Sequence, residues 1–514
     1  MRKIEIGLLM IKNLSCTLVV AAALFFAGCS AGKSSLGTTK KYPLTDVQKD
    51  YTIFQNLLEE SHPSLYWYTS KDSMDHYFGQ GYQQLKDSMT ESDFRKLLSY
   101  VVARINCGHT SIRPSKKYSG RGDSIRAKIF PLSLKIWDDT AVVAANLIRK
   151  DSVLKRGVVI KKINGTPVNE LVGTMSEYIS ADGYNLTHKW QTLSNRGYFG
   201  SLYTSLFGLS PKYHIEFIDS SGQTNSTTIP FYNPLADTIS GVRPDILGRR
   251  IQRLSKKESK ILQRRSARSL RLDSTKQIAF MDLNTFSRGS RIKNFLRSSF
   301  QSFKKNKTQY LIVDVRGNGG GSVTNSTAIA RYIADEPFKV ADSLYAIKRK
   351  SRYGRYIENN FFNRLFMRML ARQKKDGYYH FGYFERHYFK PKKKNHFDGK
   401  VYIVTGGNSF SATTLFVTSL MKQENVIIVG EETGGGAYGN SAWLIPEVTL
   451  PRTGVRFRLP LFRLVIDKNI PKDGRGVMPE IESKPTSEAI RKGRDYKMDT
   501  VMELIHDDRM KNKN

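Results

Sequence analysis

Cysteine is scarce in this 514-residue chain: there are three, Cys16, Cys29 and Cys107. Cys16 lies in an N-terminal targeting segment and Cys29 at its end, so Cys107 has no disulfide partner. That excludes a disulfide scaffold, and equally a zinc site built on cysteine pairs. Long apolar runs are missing too. The one stretch near membrane length lies at the extreme N-terminus, which excludes a polytopic membrane protein. Acidic residues are in deficit: 46 Asp and Glu face 82 Lys and Arg, a formal net charge of +36. A surplus of that size favours anionic partners, whether nucleic acid, an anionic membrane surface or an acidic substrate. The rest is ordinary for a folded chain, with 39% hydrophobic and 25% charged residues. The length suits roughly three domains at ~150 residues each.

Arg2, Lys3 and Lys12 precede an apolar stretch from Leu18 to Ala27, as in a secretory signal. It ends in Phe26-Ala27-Gly28-Cys29, which resembles a bacterial lipoprotein box with Phe where Leu is usual. On that reading residues 1–28 are a lipoprotein signal peptide and Cys29 is lipidated. The protein is then lipid-anchored to a bacterial membrane in the cell envelope, facing the periplasm or the exterior. A plain signal peptide or an uncleaved anchor is the alternative, and Met10 is an alternative start. Residues 29–43 read as a flexible tether.

Residues 44–115 read as an N-terminal helical region. Val47, Tyr51, Phe54, Leu57 and Leu58 recur at helical spacing. Thr90-Glu-Ser-Asp93 is a helix start, with Phe94, Leu97, Leu98, Val101 and Val102 following on one face. Residues 120–240 are β-rich: Ala141–Ala144, Val158–Ile160 and Tyr213–Phe217 alternate with turn signals such as Asn164-Gly165. Leu154 to Val168 resembles the central segment of a PDZ-type domain, a module that binds chain ends by strand addition. Residues 241–275 read as a basic linker, although 249–271, with a net charge of +9, also suits a basic helix. From 276 to 505 strands and helices alternate, as in an α/β domain. Gln277–Asp282, Tyr310–Val315 and Lys400–Val404 are strand candidates, and Ile292–Phe303 is a helix candidate. An insert at 340–398 interrupts this pattern. Its segment 348–394 carries a net charge of +12 and twelve Phe and Tyr.

Two strand-to-helix turns carry the candidate chemistry. The first, Asp314-Val-Arg-Gly-Asn-Gly-Gly-Gly321, allows backbone N–H groups to converge on an anion. No Gly-Lys-Ser/Thr completes a P-loop, so an oxyanion is the other occupant to consider. Arg316 and Asn318 are expected to hold the turn, with Arg316 paired to a carboxylate. The second turn, Thr405-Gly-Gly-Asn-Ser-Phe-Ser-Ala-Thr-Thr414, leads into an apolar helix expected over Leu415–Met421. A serine there is either an ordinary helix cap or a nucleophile at a helix N-terminus.

These two turns, Val429-Gly-Glu-Glu-Thr-Gly-Gly-Gly436 and Gly476-Val-Met-Pro-Glu-Ile481 follow one another in the order found in the C-terminal processing (tail-specific) serine proteases. Glu60-Ser-His-Pro63, Gly108-His-Thr110 and the PDZ-like middle fit as well. The chain resembles that family over about residues 45–505. The resemblance implies a crotonase/ClpP-like α/β protease core and a serine-type peptidase acting on polypeptides.

It also implies roles residue by residue. The nucleophile is the serine followed by alanine, here Ser411, and Ser409 lies on the turn before it. In the lysine-dependent branch the base stands 25 residues beyond the nucleophile, and here that position is Gly436. The other branch resembles the tricorn core protease and uses a histidine before the PDZ-like domain, which here is His109. That branch has a serine just before its histidine, where this chain has Gly108. It has a carboxylate near Asp473, which reads either as the group orienting the base or as a turn aspartate before glycine. The oxyanion hole would combine the Ala412 N–H with one from Gly319 or Gly320. His62, before proline, is expected to be structural.

No cofactor is expected, and no metal: His380, His387 and His396 lack a ligand pattern. A cysteine protease through Cys107 is disfavoured. The functional expectation is hydrolysis of peptide bonds in unfolded or C-terminal protein segments through Ser411, with His109 as general base. A catalytically inactive relative that binds peptides or apolar ligands is the alternative. The partners expected are polypeptide substrates and the membrane through the N-terminal lipid. Nucleic acid is not among them, because secretion separates the two, and the sequence leaves the oligomeric state open. The 348–394 segment reads as a solvated insertion or lid, with a surface that binds nucleic acid or anionic lipid as its rival.

Overall fold

The computed structural model describes residues 40–119, 128–219, 221–234 and 255–511. The signal segment, Cys29 and the tether up to residue 39 lie outside the described residues, as does 241–254 of the basic stretch.

Three helices come first: α1 (Leu44–Ser61), α2 (Lys71–Gln83) and α3 (Glu91–Ala103). The apolar residues at helical spacing line the buried face of α1. Thr90 caps α3 by accepting the Asp93 N–H. These helices do not form a core of their own. They share one with residues 448–459 of the later chain. Phe54 meets Phe457 edge-on with centroids 5.3 Å apart, and buried Asp50 accepts hydrogen bonds from Arg452 N and from Thr453 N and Oγ1. After α3 the strand Ile112–Arg113 pairs with Arg456–Phe457, fixing the segment just beyond His109.

The β-rich module follows. Strands β1 (Leu132–Trp137), β2 (Thr140–Asn146), β3 (Val159–Ile163), β4 (Lys212–Ile218) and β5 (Thr224–Pro230) form an antiparallel sheet in that order. Alternation along β1 sends Leu132, Leu134 and Ile136 inward. Helices α4 (Val168–Ser176), α5 (Leu186–Ser194) and α6 (Tyr198–Phe207) lie between β3 and β4 in the chain.

The last part contains α7 (Lys256–Ala267), β6 (Arg268–Leu272), β7 (Ile278–Leu283), α8 (Ile292–Asn306), β8 (Tyr310–Asp314), α9 (Val323–Ile333) and α10 (Asn360–Leu370). Then come β9 (Lys400–Thr405), α11 (Ala412–Thr418), β10 (Val426–Gly430), β11 (Ile481–Glu482) and α12 (Tyr496–Lys511). Strands β6 to β11 form one sheet in sequence order, parallel from β7 onward. Helices α8, α9 and α11 pack on one face and α12 on the other. That double cover explains the near-continuous apolar runs of β8 and β9.

Two boundaries differ from expectation. Within the stretch read as linker, Arg268–Leu272 is an edge strand of the core sheet, paired antiparallel to β7. The helix expected over Leu415–Met421 begins at Ala412, directly after Ser411, and ends at Thr418. The insert is also part of the fold. Its strands Ser343–Ala346, Arg372–Gln373 and Tyr379–His380 join Phe462–Val465 and Gly439–Ala442 in a five-stranded sheet. His380 fastens it, with one ring nitrogen 2.6 Å from Glu385 and the other 2.8 Å from Asp376.

Candidate active site

Strands β8 and β9 are parallel neighbours with Asp314 opposite Val404. The turns that follow them leave the sheet side by side at its carboxyl end, where α/β proteins build their sites. Buried polar groups tie the two turns together. Ser409 Oγ donates to Val315 O at 2.8 Å and accepts the Gly406 N–H. Phe410 N donates to Asn318 O at 3.1 Å. Asn318 Nδ2 donates to Leu283 O at 2.8 Å. Arg316 grips Asp314 through Nε and Nη2 and reaches Asp495 through Nη1. Arg316 and Asn318 therefore hold the first turn, and Ser409 is a structural hydroxyl of the second.

Ser411 stands next to the start of α11 with φ 59° and ψ −122°. A non-glycine residue in that region stores about 1–3 kcal/mol of backbone strain, a feature that clusters at functional sites. Ser411 lines a cavity of about 1260 Å³ together with His109, Gly319, Gly320 and Ala412. Gly319 and Ala412 make no intramolecular N–H hydrogen bond among the described residues, so both can serve an oxyanion. Gly320 differs from expectation, because its N–H is donated to Asn318 Oδ1 at 2.9 Å. Its contribution is space. At φ +94° a Cβ there would lie 2.8 Å from Ser411 Cβ and 2.9 Å from Ala412 N.

His109 comes from the helical region, on a turn closed by the Thr110 N–H to Cys107 O bond. Cys107 is thus on a turn with His109 and not on a strand. The imidazole is buried, and neither ring nitrogen has a hydrogen-bond partner. Its Nδ1 lies 3.9 Å from Oδ1 of Asp182. Asp182, buried in the β-rich module, also accepts the Gly108 N–H at 2.8 Å and the Gly436 N–H at 3.3 Å. Neighbouring bonds from Gly183 N to Asn106 O and from Tyr184 N to Gly474 O hold its loop in place. Phe410 packs between two histidine rings, 4.7 Å from His109 and 4.9 Å from His188. His188 donates from Nδ1 to Gly407 O, and burial pushes its pKa down.

Asp473 is not brought to His109. It is exposed, and its carboxylate closes its own turn by accepting the Arg475 N–H at 2.9 Å. The sequence does not mark Asp182, because Ala181-Asp-Gly183 looks like any turn aspartate before glycine. Gly436, the position of the lysine in the other branch, packs against Gly439 and Asp182. Cys107 is fully buried, and burial pushes its thiol pKa up to about 11. Such a thiol is a poor nucleophile at neutral pH.

An α/β core that offers a strained serine at a helix start, free backbone N–H groups and a buried histidine defines a serine-type hydrolase. Residues 277–483 match peptidase family S41. The chain carries a peptidase family S41 domain and is a serine-type peptidase, in agreement with the resemblance its motifs bear to the C-terminal processing proteases. No curated protein sequence matches it. Among solved structures, mature CPAF complexed with lactacystin is similar, with a TM-score of 0.62 and 16% identity over 90% of this chain and 98% of that one. A crystal structure of mature CPAF gives a TM-score of 0.60 and 17% identity over 90% and 97% of the two chains. At those identities the likeness extends to the fold, including the helical and β-rich parts outside the matched domain.

Proposed function

We propose that this protein is an extracytoplasmic, lipid-anchored serine peptidase that cleaves unfolded or C-terminal protein segments, with Ser411 as nucleophile and His109 as general base. The observation that carries the reading is the strained Ser411 sharing one cavity with the unpartnered imidazole of His109. Ser411 Oγ attacks the scissile carbonyl carbon while His109 takes its proton. The N–H groups of Gly319 and Ala412 receive the charge on the carbonyl oxygen. His109 then protonates the leaving amine, and water releases the acyl group by the same steps. Asp182 stabilises the imidazolium formed on the way. The anchor rests on the N-terminal charged and apolar pattern that ends at Cys29.

A second reading has its own observation. His109 makes no hydrogen bond to Ser411 or Asp182, as expected of an inactive descendant that binds peptides or apolar ligands. Free enzymes also hold catalytic groups apart until substrate arrives. Labelling with a fluorescent serine-directed phosphonate separates the two. The peptidase reading expects labelling of wild type, none for Ser411→Ala and slower labelling for His109→Ala. A folded wild type that stays unlabelled favours the binding protein. Metabolic labelling with a clickable fatty acid, lost in Cys29→Ser, tests the anchor.

A further inference from the structure

The insert helix α10 (Asn360–Leu370) turns its apolar side outward. Phe361 is 73% exposed, Phe362 66%, Met369 62%, Leu365 44% and Leu370 41%, and Met367 is the buried apolar residue that seats the helix. Phe361, Leu365 and Met369 fall at i, i+4 and i+8, with Phe362 beside them, so they form one stripe. Arg364 and Arg368, themselves at i and i+4, border that stripe. Both are exposed, and neither pairs with a carboxylate among the described residues. Arg352, Arg355, Arg372, Lys374 and Lys375 stand exposed nearby in the chain.

The charge balance points to the occupant. Segment 348–394 contains three acids, and each is engaged with a cation or histidine: Glu358 with Lys116, Asp376 with His380, and Glu385 with His380 and Lys374. Within this segment Arg364 and Arg368 are therefore unpaired cations, and none of its carboxylates is unpaired. A second copy docking on this face through a twofold axis would set Arg364 and Arg368 against their own equivalents. An exposed stripe of Phe, Leu and Met edged with arginine instead suits the boundary between acyl chains and anionic headgroups.

We propose that α10 is an interfacial helix that seats the protein on an anionic bilayer, with Phe361, Phe362, Leu365 and Met369 in the acyl boundary and Arg364 and Arg368 on lipid phosphates. Phe366, on the same helix, lines the cavity that holds Ser411. The docked helix therefore also supplies part of the wall of that cavity. The contact is additional to any N-terminal lipid.

The test uses the full chain with Cys16→Ser, Cys29→Ser and Leu365→Cys, carrying an environment-sensitive fluorophore at position 365. Cys107 is buried and stays unlabelled. Vesicles of phosphatidylcholine, with or without phosphatidylglycerol, contain a bilayer-embedded quencher. The label at position 365 reports on α10 itself, and the Arg364→Glu/Arg368→Glu protein, which keeps the basic N-terminal segment, separates the two contributions. A blue shift and quenching with the anionic vesicles, reversed by high salt, is the expected result. Arg364→Glu/Arg368→Glu should weaken the response roughly tenfold or more. Phe361→Glu/Phe362→Glu should abolish it, while phosphonate labelling of Ser411 persists. A label that stays in water beside anionic vesicles overturns the proposal. So does a blue shift that needs no lipid and grows with protein concentration, which would assign the face to a second copy.

Discussion

The ring of Phe410 occupies the space that a side chain at Gly108 would need. A Cβ at position 108 would lie 2.6 Å from Phe410 Cζ and 3.3 Å from Asp182 N. The missing hydroxyl before His109 is therefore not a simple deletion. An aromatic ring beside the nucleophile has taken its place, and the glycine leaves room for it.

Gly108→Ser should displace Phe410 and disturb Ser411 next to it. Overpacking of this kind costs about 1–3 kcal/mol, read as a lower midpoint in urea, and phosphonate labelling should slow markedly. Adding Phe410→Ala should recover part of the lost stability. A Gly108→Ser protein as stable as wild type would show that the ring moves freely.

Asp182 and Asp473 make opposite predictions. Asp182→Asn removes the carboxylate that faces His109 Nδ1, so kcat should fall on the order of a hundredfold or more with KM little changed. Asp473→Asn should stay within about twofold of wild type, as expected of an exposed turn residue. Steady-state kinetics on a denatured protein substrate compares them, and the reverse ranking would return the orienting role to Asp473.

Adjacent glycines of the first turn also separate. Gly320→Ala places a methyl group against Ser411 Cβ and Ala412 N at a backbone angle that L-residues avoid. Phosphonate labelling should be lost. Gly319→Ala meets nothing within 4 Å, so it should fold with near wild-type stability. Equal labelling of the two variants would contradict this division.

Acid sensitivity should begin one helix end away. His62 is buried and neutral, with Nδ1 accepting the Ser64 N–H and Nε2 donating to Thr110 Oγ1. Burial pushes its pKa down to about 3 from 6.5. Between those values the unfolded chain binds the proton and the folded one does not. The contribution is thus full above about pH 6.5 and is lost as pH falls toward 3, by on the order of a few kcal/mol in total. His62→Gln should flatten the fall in urea midpoint between pH 7 and pH 4.5. An unchanged slope would place acid sensitivity elsewhere.

Much of the fold was legible because its signals are local. The helical spacing from Val47 to Leu58, the Thr90 cap and the apolar runs of β8 and β9 are all written in consecutive residues. The two glycine turns and the choice of Ser411 and His109 as candidates come from motif order, and the structure places both residues on one cavity. What stayed hidden depends on contacts distant in sequence. Asp182 reaches His109 across the interface between the β-rich module and the helical region. Phe410 fills the place of a side chain at position 108, some three hundred residues earlier. The engaged N–H of Gly320 depends on a side chain two residues away that also had to reach Leu283. A run of three glycines does not reveal which of them is spoken for.

The residues gathered around the serine come from separate stretches of chain. His109 follows the helical region, Asp182 belongs to the β-rich module, and Gly319 and Ser411 belong to the core. The segment carrying His109 is itself pinned to residues 456–457, near the end of the chain. On the proposed roles of Ser411 and His109, cleavage therefore requires three separately encoded parts of the chain to be folded together.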